Sequence, residues 1–193
     1  MNLRQLVLAA MVLSVAAFAQ QTDPVDSPVQ VVYAANLNVG DSVINLTNSG
    51  ANATNLNANV YTFSPDEQLI SCCCCVVTPN ALVSLSAKAD LISNTLTPAV
   101  PNSIVVKVVA TTGTCNASAN PDQGLPNGLL VWRTTLHATP VAGSFAVTET
   151  PASPATAGDI TRIRALCGFI QSNGSGFGIC RSCRLGGQGA AKQ

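Results

Sequence analysis

The run Leu69-Ile-Ser-Cys-Cys-Cys-Cys-Val-Val77 decides how this chain folds. Its apolar and β-branched residues are bounded by turn-forming residues on both sides, which predicts a β-strand. Because successive side chains of a strand point to opposite faces, Cys72 and Cys74 would face one way and Cys73 and Cys75 the other. The run therefore predicts a strand that offers two cysteines to each face of a sheet.

Four further cysteines lie downstream of this run, and the chain has eight in all. We predict a disulfide framework in which the run ties down three later segments, because each bond would close a long loop and contribute about 2–4 kcal/mol. The later partners are Cys115 in a long loop, Cys167 in a C-terminal helix, and Cys180 and Cys183 in the tail. Many pairings satisfy this pattern, so the residues leave the connectivity open.

Two kinds of thiol chemistry compete with this framework. Zinc would be bound by four thiolates that come as two separated pairs, and the candidate set is Cys72, Cys74, Cys180 and Cys183. A thiol–disulfide oxidoreductase would place Cys180-Arg-Ser-Cys183 at a helix N-terminus, where the dipole stabilises a thiolate. Here the motif follows a glycine-rich loop instead. A strained bond between adjacent cysteines of the run is a further alternative.

The first 19 residues are typical of a secretory signal peptide. Arg4 gives a positive start, Leu6 to Val15 form an apolar run, and Ala17-Phe-Ala19 is a cleavage site. The apolar run is shorter than the roughly 20 residues that span a bilayer, so we expect no membrane span after cleavage. We therefore expect a secreted protein, extracellular, periplasmic or on the cell surface, where disulfides form and persist.

The composition excludes several classes of protein. Charged residues make up 9% of the chain and hydrophobic residues 47%, whereas a disordered chain needs low hydrophobicity and high net charge. The net charge is zero, which argues against a nucleic-acid binder with a basic face. The single histidine, His137, cannot form a site with two or more histidine ligands.

Short β-rich runs separated by turn residues fill most of the remaining chain. They are predicted at 29–35, 42–48, 56–63, 69–77, 82–87, 104–111, 129–138 and 144–150. In the second run Ile44 and Leu46 alternate with the more polar Asn45 and Thr47, as in a strand with one buried face. Strands at this spacing predict a mainly β fold, an antiparallel β-sandwich that is Ig-like in general character.

The C-terminal part is different, because apolar residues recur at helical spacing. Ile160, Ile163, Cys167 and Ile170 predict a helix over Asp159–Gln171. Four of the basic residues lie here, at Arg162, Arg164, Arg181 and Arg184. We interpret them as a solvated helix face and tail, with a patch for anionic polymer as the alternative.

The expected organisation has six parts. They are a signal peptide (1–19), a flexible lead-in (20–28), the β-sandwich (29–150), a linker (151–158), a helix and Cys-rich segment packed on the sandwich and tied to it by disulfides (159–185), and a disordered tail (186–193).

Few other residues are candidates for chemistry. A serine hydrolase would use His137 as its base, but it needs a nucleophile and an orienting acid as well, and the chain has no Gly-x-Ser-x-Gly motif. The adjacent Asp66 and Glu67 follow Ser64-Pro65 and predict a solvated turn rather than a general acid/base pair. We therefore predict no catalytic and no cofactor-binding residue, with zinc as the alternative cofactor.

The stretch Val60-Tyr-Thr-Phe-Ser-Pro-Asp-Glu-Gln-Leu-Ile-Ser-Cys-Cys-Cys-Cys75, with Val77-Thr-Pro-Asn80 after it, resembles a group of uncharacterised secreted proteins from soil bacteria. Leu91-Ile-Ser-Asn-Thr-Leu-Thr-Pro-Ala-Val100 and Gly178-Ile-Cys-Arg-Ser-Cys183 resemble the same group, so the similarity covers most of the mature chain. In that group the third cysteine of the run is a small polar residue, which makes Cys74 the departure. The resemblance implies secretion and a bacterial host, and it implies no activity.

Three functional hypotheses remain. The first is a non-enzymatic extracellular or cell-surface protein, structural or adhesive, in which low charge and zero net charge permit self-association or contact with a surface polymer. The second is a Cys-ligated metal-binding or thiol-redox protein. The third is a hydrolase that uses His137. No nucleic-acid partner is expected.

Overall fold

The structure is a computed structural model that describes residues 26–119 and 124–181. Within these ranges the chain is mainly β, with one C-terminal α-helix, so the expected fold class is confirmed. The strands are β1 (Val29–Ala34), β2 (Asp41–Asn48), β3 (Leu56–Phe63), β4 (Leu69–Val77), β5 (Leu82–Ser86), β6 (Ile104–Thr111), β7 (Leu129–Ala138), β8 (Phe145–Pro151) and β9 (Ser153–Pro154), and the helix is α1 (Ile160–Ser172).

The strands form two sheets in which every neighbouring pair is antiparallel. Sheet A has the order β4-β3-β6-β1-β9, and sheet B has the order β5-β2-β7-β8. The Cys run lies in β4, at the edge of sheet A. Its register against β3 runs from Leu56 opposite Val77 to Thr62 opposite Ser71 and then shifts by one residue.

The main core lies between the two sheets, where each strand contributes alternate side chains. Ile44 and Leu46 of β2 are fully buried there, whereas Val43 and Thr47 are only half-buried on the other face, as the alternation predicted. Burial of aliphatic side chains at roughly 1.5–3 kcal/mol each is the main stabilising contribution. The core therefore follows from period-two patterning.

A second core lies on the outer face of sheet A, beneath α1. The helix buries Ile160, Ile163, Cys167 and Ile170, the residues whose spacing predicted it, and its bounds are shifted by one residue from the expected ones. Tyr61 and Val109 from the sheet complete the contact and are fully buried. Helix α1 therefore covers part of the outer face of sheet A, and sheet B covers the inner face.

Two local elements depart from the expected boundaries. The predicted fifth strand ends at Ser86, and a π-helical turn over Ala87–Leu91 follows, because Ser86 Oγ accepts from Ala89 N–H (2.8 Å) and the Asp90 carboxylate accepts from Ser86 N–H (2.8 Å). Within the predicted linker 151–158, Ser153–Pro154 form β9 on the edge of sheet A. The chain thus passes from sheet B to sheet A at Ala152.

Several expectations fall on parts of the chain outside the described residues. These are the signal peptide (1–19), most of the lead-in (20–28), the end of the Cys-rich segment with Cys183 and Arg184, and the tail (186–193). Across 26–119 and 124–181 no helix is long and apolar enough to cross a membrane.

Candidate functional site

The four cysteines of β4 lie on two faces of sheet A, as strand geometry requires. Cys72 and Cys74 belong to the outer core beneath α1, and Cys73 and Cys75 to the core between the sheets. The strand is buried at seven of its nine positions. We therefore take this cysteine cluster as the first candidate site, and ask whether it is structural or reactive.

The outer face carries two disulfides. Cys72 is bonded to Cys167 of α1, with their Cα atoms 5.9 Å apart, and both residues are fully buried. Cys74 is bonded to Cys115 in the loop after β6, with a Cα–Cα distance of 5.6 Å, and both are half-buried. The first bond fixes the helix on the sheet, and the second fixes the loop beside it.

The inner face carries the bond from Cys73 to Cys180, with a Cα–Cα distance of 5.5 Å. The segment before Cys180 runs along the open edge of β4, where Cys72 N–H donates to the Gly178 carbonyl (2.8 Å) and Ile179 pairs with Cys72 in a parallel bridge. Only glycine fits at 178, because its φ is +79° and a Cβ would lie 2.7 Å from Ile170 Cγ2. The segment 178–180 thus covers the edge of β4 at Cys72 and passes from the outer face of sheet A to its inner face.

Cys75 is disulfide-bonded as well. No free cysteine occurs in the described part of the chain. The candidate zinc set is distributed over separate bonds, since Cys72, Cys74 and Cys180 each pair with a different cysteine and Cys183 lies outside the described residues. Over 26–119 and 124–181 no group of three or more His, Cys, Asp or Glu side chains is placed to hold a metal ion. Paired thiols have no thiolate to offer a metal or a substrate.

A polar pair lies beneath α1 next to this cluster. The buried Tyr61 O–H donates to the Ala117 carbonyl (2.6 Å). Burial raises the pKa of Tyr61, and the hydrogen bond and positive charge of Arg164 oppose this rise without cancelling it. Arg164 is only 4% exposed, and its Nε and Nη2 have no hydrogen-bond partner within the described ranges.

The interpretation of the C-terminal arginines as a solvated group is therefore wrong for Arg164. Arg162 and Arg181 are exposed, as expected. Arg164 follows Ile163 on the helix and faces the sheet with it, because consecutive residues on a helix are only about 100° apart. Position 164 is four residues after Ile160 and three before Cys167, so helical spacing places it on the buried face. The charge of arginine favoured the opposite interpretation.

A groove of about 380 Å³ lies beside the N-terminus of α1, on the part of sheet A that the helix leaves uncovered. Val31, Phe63 and Val105 form its apolar floor. At one side the ammonium group of Lys107 forms an ion pair with the carboxylate of Asp159. Glu67 and Arg162 also line the groove, so its two acidic and two basic side chains give no net charge.

The other candidate residues from the sequence lie outside the cysteine cluster. His137 is exposed near the end of β7, its ring Nε2 shares a hydrogen bond with Thr148 Oγ1 (3.1 Å), and no carboxylate of the described residues forms an ion pair with it. Asp66 and Glu67 are exposed in a turn closed by Glu67 N–H to the Ser64 carbonyl (3.0 Å). Neither group converges with a second catalytic side chain in the part that the structure describes.

The outer face of sheet B carries a feature that the sequence reasoning missed. One row of hydrogen-bonded polar side chains crosses all four strands: Ser84 Oγ donates to Asn45 Oδ1 (2.7 Å), Asn45 Nδ2 to Thr134 Oγ1 (2.9 Å), and Thr134 Oγ1 to Glu149 Oε1 (3.2 Å). The charged side chains on this face at strand positions are Asp41 and Glu149, and each accepts a hydrogen bond from a hydroxyl group. Only the strand order, which the sequence does not reveal, could have aligned this row.

Comparison of the chain with protein-family models, with curated proteins and with solved structures finds no match.

Proposed function

We propose that this chain is a secreted, non-enzymatic structural or adhesive protein of the cell exterior, of the kind found in the soil-bacterial group that it resembles. The observation that carries the proposal is the cysteine cluster of β4. Its bonds to Cys167, Cys180 and Cys115 hold a helix, the tail and a loop on one sheet. Disulfides of this kind form and persist in oxidising compartments, and they use the cysteines for stability rather than for reactivity.

The outer face of sheet B supports the adhesive part of the proposal. Its row of hydroxyl and amide groups is held by hydrogen bonds between strands, so little side-chain entropy is lost when a partner binds. The half-buried Trp132 lies on the same face, and aromatic side chains dominate many binding surfaces. A partner rich in hydroxyl groups and poor in charge, such as a neutral surface polymer, suits this chemistry.

The second hypothesis, a metal or thiol-redox protein, requires free thiolates. Counting thiols on denatured, unreduced protein separates the two, because the framework gives no free thiol. Four free thiols together with stoichiometric zinc would instead support the metal hypothesis and overturn the structural role of the cysteines.

The adhesive role is tested by fractionating the producing cells and by measuring the binding of purified protein to isolated cell envelopes. We expect the protein outside the cytoplasm and bound to envelopes. Trp132→Ala should weaken this binding by about tenfold or more, whereas the control Phe177→Ala, which removes an exposed aromatic side chain elsewhere, should not. A protein that stays in the cytoplasm, or that has no affinity for envelopes, contradicts the proposal.

A further inference from the structure

Strand β8 is the one long sheet edge that the described residues leave uncovered. At the other end of sheet B, β5 has five residues, and Ser86 N–H at its end is bound by Asp90. In sheet A, β9 has two residues, one of them proline, and the edge of β4 is covered at Ile70 and Cys72, which bond to Leu96 and Gly178. β8 has seven residues, of which six are exposed.

The hydrogen-bond pattern shows which backbone groups of β8 point away from the sheet. Thr139 N–H donates to the Ser144 carbonyl (3.2 Å), and Ala152 N–H donates to the Val131 carbonyl (3.0 Å). Both pairs belong to the same β7–β8 register, which runs without interruption. Because hydrogen-bonded and non-bonded pairs alternate in an antiparallel ladder, residues 146, 148 and 150 bond to β7. The N–H and C=O groups of Phe145, Val147 and Glu149 therefore face outward.

The side chains of these three residues share one face of the strand, and two of them are apolar. Phe145 is 49% exposed and Val147 is 58% exposed. Val147 lies opposite Leu136 of β7, which extends the apolar surface. Natural proteins protect such edges with lysine, an interior proline or a bulge. β8 has none of these before its last residue, Pro151.

We propose that β8 pairs with β8 of a second copy of this chain, antiparallel and with the two-fold axis at Val147. This register places Val147 opposite Val147 and Phe145 opposite Glu149 of the other copy. It satisfies the outward N–H and C=O groups of all three residues on both strands. A register displaced towards Pro151 loses a donor, because Pro151 has no N–H. A register displaced the other way places Glu149 opposite Gly143, which lies in the turn before β8.

Charge favours a second copy as the occupant. Glu149 is the only charged residue of β8, and the proposed register separates the two Glu149 carboxylates instead of placing them opposite each other, where like charges destabilise a sheet. After loss of the expected signal peptide with Arg4, 8 basic and 9 acidic residues remain, a net charge of −1, so little long-range repulsion opposes the approach of two copies. The pairing would join two four-stranded sheets into one sheet of eight strands.

This inference deepens the proposed function, on which it rests, by naming a second copy as partner and β8 as the site. A seven-residue edge is small for an interface, so the pairing should be weak and concentration-dependent. That behaviour suits a protein that is monomeric when dilute and associates where secretion concentrates it at a surface.

The test is sedimentation velocity of the purified full-length protein over a wide range of concentration. We expect a monomer–dimer equilibrium for the native chain. Val147→Pro removes an outward N–H without removing a bond to β7, and Val147→Lys places two positive charges at the axis. Each should weaken the dimer by about tenfold or more. The control Thr148→Lys places the same charge on the opposite face and should leave dimerisation unchanged.

Amide exchange measured by NMR locates the contact. The amides of Phe145, Val147 and Glu149 should exchange more slowly at high concentration, and those of Ala146 and Thr148 should not change. A monomer at every concentration, or a dimer that persists in both folded Val147 variants, overturns the inference. If Val147→Pro fails to fold, Val147→Lys decides the outcome. Because these measurements use purified protein in solution, they can fail while envelope binding succeeds, and the reverse.

Discussion

β4 is an edge strand of sheet A and β8 is an edge strand of sheet B, and the two differ in burial and in covalent protection. β4 is buried at seven of nine positions, carries all three described disulfides and has its open edge covered at Cys72 by the segment 178–180. β8 is exposed at six of seven positions, and none of those disulfides reaches sheet B. The edge of sheet A at β4 is thus protected by disulfides, whereas the edge of sheet B at β8 is left exposed.

The largest effect should come from removing the bond that fixes the helix on β4. Cys72→Ala combined with Cys167→Ala removes the bond between two fully buried residues. Because the Cys73–Cys180 bond still joins the same two segments, the loop that this change opens has only about 15 residues, and we expect a loss of about 2–5 kcal/mol in the free energy of unfolding. Urea unfolding under non-reducing conditions measures this loss. The paired variant, Cys74→Ala with Cys115→Ala, opens a loop of 41 residues between two half-buried residues. Chain entropy alone makes its loss roughly 0.9 kcal/mol larger, whereas the deeper burial of Cys72 and Cys167 acts in the opposite direction. A loss below about 1 kcal/mol for the Cys72–Cys167 variant would contradict the covalent protection of β4 described here.

A matched pair of aliphatic truncations compares the two regions without touching a cysteine. Ile163 is fully buried between α1 and sheet A, so Ile163→Ala should lower the free energy of unfolding by about 2–5 kcal/mol. Val147→Ala on β8 should change it by no more than about 0.5 kcal/mol, as exposed positions generally do. The measurement is urea unfolding at a concentration where the protein is monomeric. Similar losses for the two variants would show that β8 is better packed than its exposure indicates.

The smallest expected effect concerns pH and the buried Tyr61. Its pKa is raised in the folded state, so folding favours the neutral phenol. The stabilisation is therefore complete below the ordinary tyrosine pKa of about 10 and is lost as the pH rises through the folded-state pKa. Tyr61→Phe should cost about 1 kcal/mol at neutral pH, through the lost bond to Ala117, and should make unfolding less steeply dependent on alkaline pH.

The control is Tyr33→Phe, because Tyr33 is 54% exposed and is the only other tyrosine of the chain. This variant also leaves Tyr61 as the sole phenol, so its ionisation can be followed by absorbance. If that single phenol ionises at its ordinary pKa while the protein is still folded, Tyr61 is not desolvated as the structure places it.

Much of the fold could be predicted from the sequence because it depends on local patterning. The bounds of β3, β4, β6 and β7 agree with those expected from alternation and β-branched content, and α1 is shifted by a single residue. The π-helical turn at Ala87–Leu91 and the two-residue β9 were missed, because five and two residues are too short for any periodicity to show. The strand order could not be predicted from the sequence, since it depends on contacts between distant segments.

The candidate site was likewise predictable only in part. The two-faced presentation of Cys72 and Cys73 follows from strand geometry alone, but which later cysteine each would meet depends on where the helix and tail pack. The outward backbone of β8 also depends on strand order. The burial of Arg164, in contrast, agrees with the helical spacing of Ile160 and Cys167.

The two bonds at Cys72 and Cys73 have one more consequence. Since these residues are adjacent and their bonds leave opposite faces of the sheet, the segment from Cys167 to Cys180 closes a covalent ring around the edge of β4. Phe177, exposed at 55% in the turn after α1, is open to proteases of chymotryptic specificity, whereas Phe169, exposed at 64%, lies within α1 and becomes cleavable when that part of the helix opens. One cut at either residue opens the ring, yet both new ends stay bound through a cysteine and no fragment leaves. A second cut within the same segment is needed before any peptide is lost, so this segment tolerates a single proteolytic cut.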